Sequence, residues 1–220
     1  MSGAVNLRRA YDGTRRREQA HASRRAVIGC AQRLFLERGF AATTMPDVAA
    51  AAGVSIQSVY KVFGNKVGLA KAVFDVAIAG DDEPVPMVQR PTLRKVVEAT
   101  DPYEKLRLYG RHLSAVAPRH VPVQLVILDA AANDPEAARL WQQLQDERLR
   151  GMTMFAQNLA DNGHLRHGVS TTEAAEVMWT YNSAEIYRLL VIERRWTPQR
   201  YGRWVATALT NSLLPLRSDD

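Results

Sequence analysis

TTMPDVAAAAGVSIQSVYKVFGNKVGLAK, residues 43–71, is the stretch on which the fold of this chain turns. Thr44 is followed three residues later by Asp47, the spacing at which a hydroxyl and an acidic side chain cap a helix N-terminus reciprocally. Pro46 suits that first turn, because its missing N–H would have no intrahelical partner there. The helix so started stops at Ala52: Gly53 offers the left-handed conformation that closes a helix, and Ser55 is placed to cap the next one. The small residues Ala49, Ala50, Ala51 and Ala52 permit a close crossing, and Val48, Val54, Val59 and Phe63 are spaced to form the core between two short helices. Two short helices about a tight turn are helix-turn-helix construction. Ser55, Gln57, Ser58, Tyr60 and Lys61 stay outside that core, near the N-terminal half that such motifs present to the major groove. Gly64 breaks the chain again, Asn65 is placed to cap a third helix, and Lys66 at its start makes a phosphate seat.

Upstream, Val27, Cys30, Ala31, Leu34 and Phe35 have the 3, 4 spacing of an amphipathic helix, with Ser23 as its expected N-cap and Gly39-Phe40 as its end. Residues 1–22 carry Arg8, Arg9, Arg15, Arg16 and Arg17 and no apolar period, and read as a flexible basic arm. The net charge of +6 is unevenly placed: residues 1–71 hold twelve Lys/Arg against four Asp/Glu, and residues 72–220 hold seventeen against nineteen. A basic excess confined to the first third marks a module that meets a polyanion. At 220 residues and 46% hydrophobic composition the chain can bury a full core. One cysteine, Cys30, excludes a disulfide framework. No apolar run approaches the roughly 18 residues a membrane span needs, so a cytoplasmic location without membrane contact is expected.

Downstream, no strand-like alternation occurs, and an all-α fold is expected, with an N-terminal three-helix DNA-binding domain (23–79) and a helical bundle (80–220). Acidic and proline residues at 81–86 form the connector. Helices read at 91–99, 102–117, 122–132, 135–161, 171–193 and 198–213; Asp101, Asp134 and Thr197 each precede a proline, and Ser170 can cap the fifth. Tyr109, His112, Trp141, Leu144, Met152, Phe155 and Trp179 are the candidates for a ligand cavity, because aromatic and Met walls suit a small organic molecule. Met178, Asn182 and Ile186 on one helix, and Tyr201, Trp204, Val205, Ala208 and Leu209 on the last, form stripes that face either a second subunit or the chain's own core. Asn182 falls on an apolar face and must find a partner if buried; a dimer seam and a ligand are both open to it.

No nucleophile elbow, phosphate-binding loop, dinucleotide fingerprint or zinc-protease motif accompanies these features, and neither cofactor nor metal is expected. His164 and His167 lie three apart in a glycine-bounded turn without a cysteine or a carboxylate at ligand spacing. Against a sequence-specific regulator stand two other classes, a DNA-coating protein using the same basic module and a helical enzyme.

Through Gly39-Phe40, Thr43-Thr44, Val48-Ala49, Ala52-Gly53-Val54-Ser55, Val59-Tyr60, Phe63, Lys66 and Leu69, residues 23–79 resemble the TetR family of bacterial one-component regulators. The resemblance implies phosphate contacts by Thr44, Tyr60 and Lys66, and places Ser55, Gln57, Ser58 and Lys61 in or beside the major groove. It implies a homodimer joined through the last two helices, a double-stranded DNA operator of palindromic sequence, and an effector of unknown identity that releases a repressor. Lys61-Val62, Gly64 and Val67 depart from the family pattern.

Overall fold

A computed structural model describes residues 3–216, and for residues 3–14 and Arg16 the backbone alone. Every regular element among the described residues is helical. The N-terminal unit comprises α1 (Gly3–Ala42), α2 (Met45–Ala52), α3 (Ile56–Phe63) and α4 (Lys66–Ala79). The bundle comprises α5 (Pro91–Glu98), α6 (Pro102–Ala131), α7 (Pro135–Asp161), α8 (Thr171–Tyr181), the single turn α9 (Ala184–Tyr187) and α10 (Pro198–Leu213). A 3-10 turn, Met87–Gln89, interrupts the connector, and a π-helical stretch, Arg188–Glu193, follows α9.

The helix-turn-helix forms where its caps dictate. Thr44 Oγ1 accepts the Asp47 N–H while the Asp47 carboxylate accepts the Thr44 N–H, a complete capping box. Gly53 closes α2 in the left-handed region, at φ 66°, and Ser55 and Asn65 cap α3 and α4 by accepting the Ser58 and Gly68 N–H groups. Upstream, Phe40 folds back beyond Gly39 and stacks on Phe35 at 5.7 Å.

Three expectations are corrected. Ser23 caps nothing, because α1 starts at Gly3 and passes through it. The run before Ser23 lacks an apolar period but is rich in Ala and Arg, whose propensity extends a helix already nucleated by packing. Arg24 anchors that extension, donating to both carboxylate oxygens of Asp82 (3.2 and 2.9 Å) with its guanidinium 5.1 Å above the Phe63 ring. Of the arm, Met1 and Ser2 and the side chains of Arg8, Arg9 and Arg16 lie outside the described residues.

The second correction joins the helices read at 102–117 and 122–132 into one, with Pro118 and Pro122 inside it. An interior proline costs about 3 kcal/mol, whereas each buried aliphatic side chain gains about 1.5–3 kcal/mol. Val116, Val121, Val123, Leu125 and Ile127 are all buried around the two prolines, so packing prevails. Between them Arg119 reaches out to α4, donating to the Ala77 carbonyl at 3.1 Å and the Ile78 carbonyl at 3.4 Å.

The third correction divides the helix read at 171–193. Ser183 Oγ accepts the Ile186 N–H and starts α9 afresh, the competition with the helix ladder that serine offers.

Two apolar cores result. One gathers Val27, Leu34, Phe35, Val48, Val59, Leu69 and Val73 of the N-terminal unit and continues into Val123, Ile127, Leu140 and Leu144 of α6 and α7. The other holds Leu106, Tyr109, Leu113, Leu159, Met178, Tyr201, Val205 and Leu209 inside the bundle. Trp141 packs against both. Where α6 crosses α10, Gly110 and Gly202 meet backbone to backbone: a Cβ on either would collide with the other's carbonyl oxygen.

Candidate DNA-binding face and effector cavity

On the helix-turn-helix, Gln57, Ser58, Tyr60 and Lys61 are all exposed, Tyr60 at 47% of its surface. Thr44 and Ser55 are exposed too, but their oxygens already serve the helix caps, and the two serine hydroxyls are 2.8 Å apart. Lys66, at the start of α4, is partly covered. Its ammonium donates to the Phe40 carbonyl at 3.0 Å and sits 4.3 Å above the Phe40 ring, so its charge closes the C-terminal end of α1 rather than standing free. The Thr44 hydrogen bonds hold the Asp47 carboxyl below the usual carboxylate range.

Beneath this unit α4, α6 and α7 enclose a mostly apolar cavity of about 410 Å³ that also takes in Met87 and Val88 of the connector. Of the seven candidates, Tyr109, His112, Leu144, Met152 and Phe155 line it. Trp141 and Trp179 do not: Trp141 fills the junction of the two cores, and Trp179 carries the Arg148 guanidinium on its ring at 4.4 Å.

The cavity has one polar corner, built around Asn182. Its amide nitrogen donates to the Tyr109 hydroxyl at 2.6 Å, and its oxygen accepts from Arg148 at 2.7 Å. Arg148 donates further to the Gln145 side-chain oxygen at 2.5 Å and to the Trp179 carbonyl. Burial pushes the Tyr109 hydroxyl up to about 12 and lowers Arg148 to about 10, so at neutral pH the phenol is neutral and the guanidinium charged. Burial likewise takes His112 and His120 down to about 4. His120 Nδ1 lies 3.0 Å from the Val116 carbonyl, which can only accept, so Nδ1 carries the hydrogen. The His120 ring meets Phe74 of α4 edge-on at 5.8 Å.

Sequence reasoning missed Arg148, His120, Asn158, Phe74 and Ile78 in this wall. Asn182 carried a signal, a polar residue on an apolar face. Arg148 carried none, since within DERLR it reads like any solvated helix charge.

The two stripes left open between a partner and the chain's own core are divided by burial. Met178, Tyr201, Val205 and Leu209 are fully buried within one protomer, and Asn182 belongs to the cavity corner. Ile186, Trp204 and Ala208 are only partly covered; Trp204 meets Tyr181 at 5.5 Å and Trp196 at 6.2 Å, both edge-on. No group of three or more His, Cys, Asp or Glu suited to a metal occurs among the described residues, and no described helix is long and apolar enough to cross a membrane.

The profile of the family described as bacterial regulatory proteins, tetR family, matches residues 28–73, the span of the helix-turn-helix and its supports. Over that span the chain carries a TetR-family helix-turn-helix domain. Among its relatives, the HTH-type transcriptional regulator TtgR of Pseudomonas putida is 26% identical over 181 residues, covering 81% of this chain and 85% of that one. The fold of this chain is shared with NalD, the secondary repressor of the MexAB-OprM multidrug efflux pump in Pseudomonas aeruginosa. That match has a TM-score of 0.66 at 19% identity, over 90% of this chain and 98% of that one. It is shared as well with SmeT in its triclosan complex, with a TM-score of 0.65 at 21% identity over 88% and 92%.

Proposed function

We propose that this TetR-family regulator is a dimeric repressor that holds a palindromic operator through α3 and releases it when a small organic molecule occupies the bundle cavity. One observation carries the reading: Phe74, Asp75 and Ile78 in the cavity wall belong to α4, whose first residue is locked to the end of α1. A molecule pressing on that wall presses on the helix that orients α3, and a ligand that favours one α4 position shifts the population away from the DNA-bound arrangement. SmeT, similar in fold, is seen in a complex with triclosan, which supports a small-molecule effector for this chain.

Within this reading the division into a basic arm (1–22), a DNA-binding domain (23–79) and a ligand-binding and dimerisation domain (80–220) is functional. Gln57 and Lys61 reach base edges; Thr44, Tyr60 and Lys66 position the phosphates. The partner surface lies on the outer face of α8–α10, where Leu189 and Ile192 are exposed beside the partly covered Trp204, and where Glu185 Oε2 and Arg188 Nε are buried without a hydrogen bond in one protomer.

The experiment is selection of bound fragments from the source genome, followed by titration of the selected site and of random DNA at physiological salt. A specific regulator prefers its site by roughly 10³-fold or more. Equal affinities would instead establish a DNA-coating protein.

A further inference from the structure

The cavity's polar corner holds a charge that the protein does not neutralise. Arg148 is in the cavity wall, and each of its hydrogen bonds goes to an amide or carbonyl oxygen: Asn182, Gln145 and Trp179. No carboxylate lies within ion-pair distance of it among the described residues. Its Nε–H is sealed from solvent with no acceptor at all. Glu185 favours the guanidinium electrostatically but forms neither an ion pair nor a hydrogen bond with it and is not in the wall. A partly buried guanidinium left in this state is costly, and an anion supplied from outside would offset the cost.

Elsewhere in the wall the polar groups are already engaged. Asn158, also in the wall, has its side-chain oxygen taken at 2.6 Å by the ammonium of Lys105, a residue only 2% exposed whose other bond goes to the Val97 carbonyl. Asn158 stands ten residues beyond Arg148 on α7, about 15 Å along the helix, and so does not meet the same group. The cavity's two carboxylates, Asp75 and Glu147, both clamp Lys71, at 2.7 and 3.3 Å, and their side chains keep 52% and 35% of their surface in solvent. The Lys71 ammonium between them offsets part of that negative charge.

We infer that the effector is an organic monoanion, a ring-containing apolar body bearing one acidic group that the Arg148 guanidinium receives. The inference rests on the effector reading of the cavity proposed above. Phe155, Met152 and Leu144 take the apolar body. Arg148 then recognises charge, while the wall recognises only size and apolarity.

Two dyes that differ by one group test this: 1-anilinonaphthalene-8-sulfonate and its uncharged parent N-phenyl-1-naphthylamine, both fluorescent when taken from water. Arg148→Met should weaken the sulfonate roughly tenfold or more, as expected for a hydrogen bond to a charged group, and leave the parent within about twofold. On the unaltered protein, 1-naphthoate should displace the uncharged dye at lower concentration than 1-naphthamide, a comparison that needs no variant. Failure of either dye to light up, parallel losses of both on Arg148→Met, or displacement by the amide or by 1-naphthylmethylamine at concentrations equal to or lower than the acid overturns the inference. Release of the selected DNA by the uncharged dye but not by the acids would overturn the acid class and leave the effector reading standing. Acids that bind as expected without shifting DNA affinity would sink the effector reading alone.

Discussion

Lys66 serves the fold and, in the function proposed above, the DNA as well. Its ammonium holds the end of α1, so Lys66→Ala removes a carbonyl cap and a cation–π contact, each worth about 0.5–1 kcal/mol. We expect a melting temperature lower by a few degrees, with weakening on selected and random DNA alike. Tyr60→Phe should also weaken both kinds of DNA equally but leave melting unchanged, since Tyr60 is exposed. A change of base preference in either variant would contradict their assignment to phosphates. Gln57 has the opposite profile. Gln57→Ala should cost about 1–3 kcal/mol on the best site and little on random DNA, read by fluorescence anisotropy; equal losses would make it a positioning residue. At this scale, legibility followed local chemistry. Thr44, Ser55 and Asn65 were readable because a cap needs only its own backbone, whereas Arg148 was not, because its burial depends on α8 arriving beside it.

Among the elements, those bounded by local signals stand where the sequence puts them: α2, α3 and α4 between their caps, α7 behind Asp134-Pro135, α10 behind Thr197-Pro198. The misread ones were decided by tertiary packing, which kept α6 whole through two prolines, or by one hydroxyl, which ended α8 early. The buried side of the α10 stripe faces the chain's own bundle, and this narrows the assembly test to Trp204. Trp204→Glu should give folded monomers with poor operator binding, measured by sedimentation together with circular dichroism, because an uncompensated carboxylate opposes association. A dimeric variant would remove Trp204 from the interface, and an unfolded one would place it in the core. For the basic start of α1, removal of residues 1–22 should flatten the salt dependence of DNA binding by about one unit of slope for every phosphate the arm had neutralised. An unchanged slope would show that the arginines there stay in solvent.

For the molecule as a whole, the buried histidines predict a pH response. His112 and His120 bind protons near 4 in the folded chain and near 6.5 once unfolded, so acid favours the unfolded state. Their contribution is intact above pH 6.5 and is lost as pH falls toward 4, at about 1.4 kcal/mol per unit for each. Asp81, held down to about 2 by Arg90, loses its share only between 3.8 and 2, which separates the two windows. Denaturant midpoints between pH 7 and 4 should therefore drop steeply, and His112→Gln combined with His120→Gln should flatten that drop; a parallel decline in the variant would assign the loss to other groups.

The glycine contact between α6 and α10 has a mechanical meaning. Backbones in direct contact at Gly110 and Gly202 leave no side chain to deform, so α6 can tilt about that point but cannot translate past it. The contact is a fulcrum. Arg119, which grips the end of α4, stands nine residues further along, about 14 Å of helix. A tilt of about 4° at the fulcrum displaces that grip by about 1 Å, so the movement handed to α4 scales with the length of the lever, whatever the shape of the molecule that pushes it.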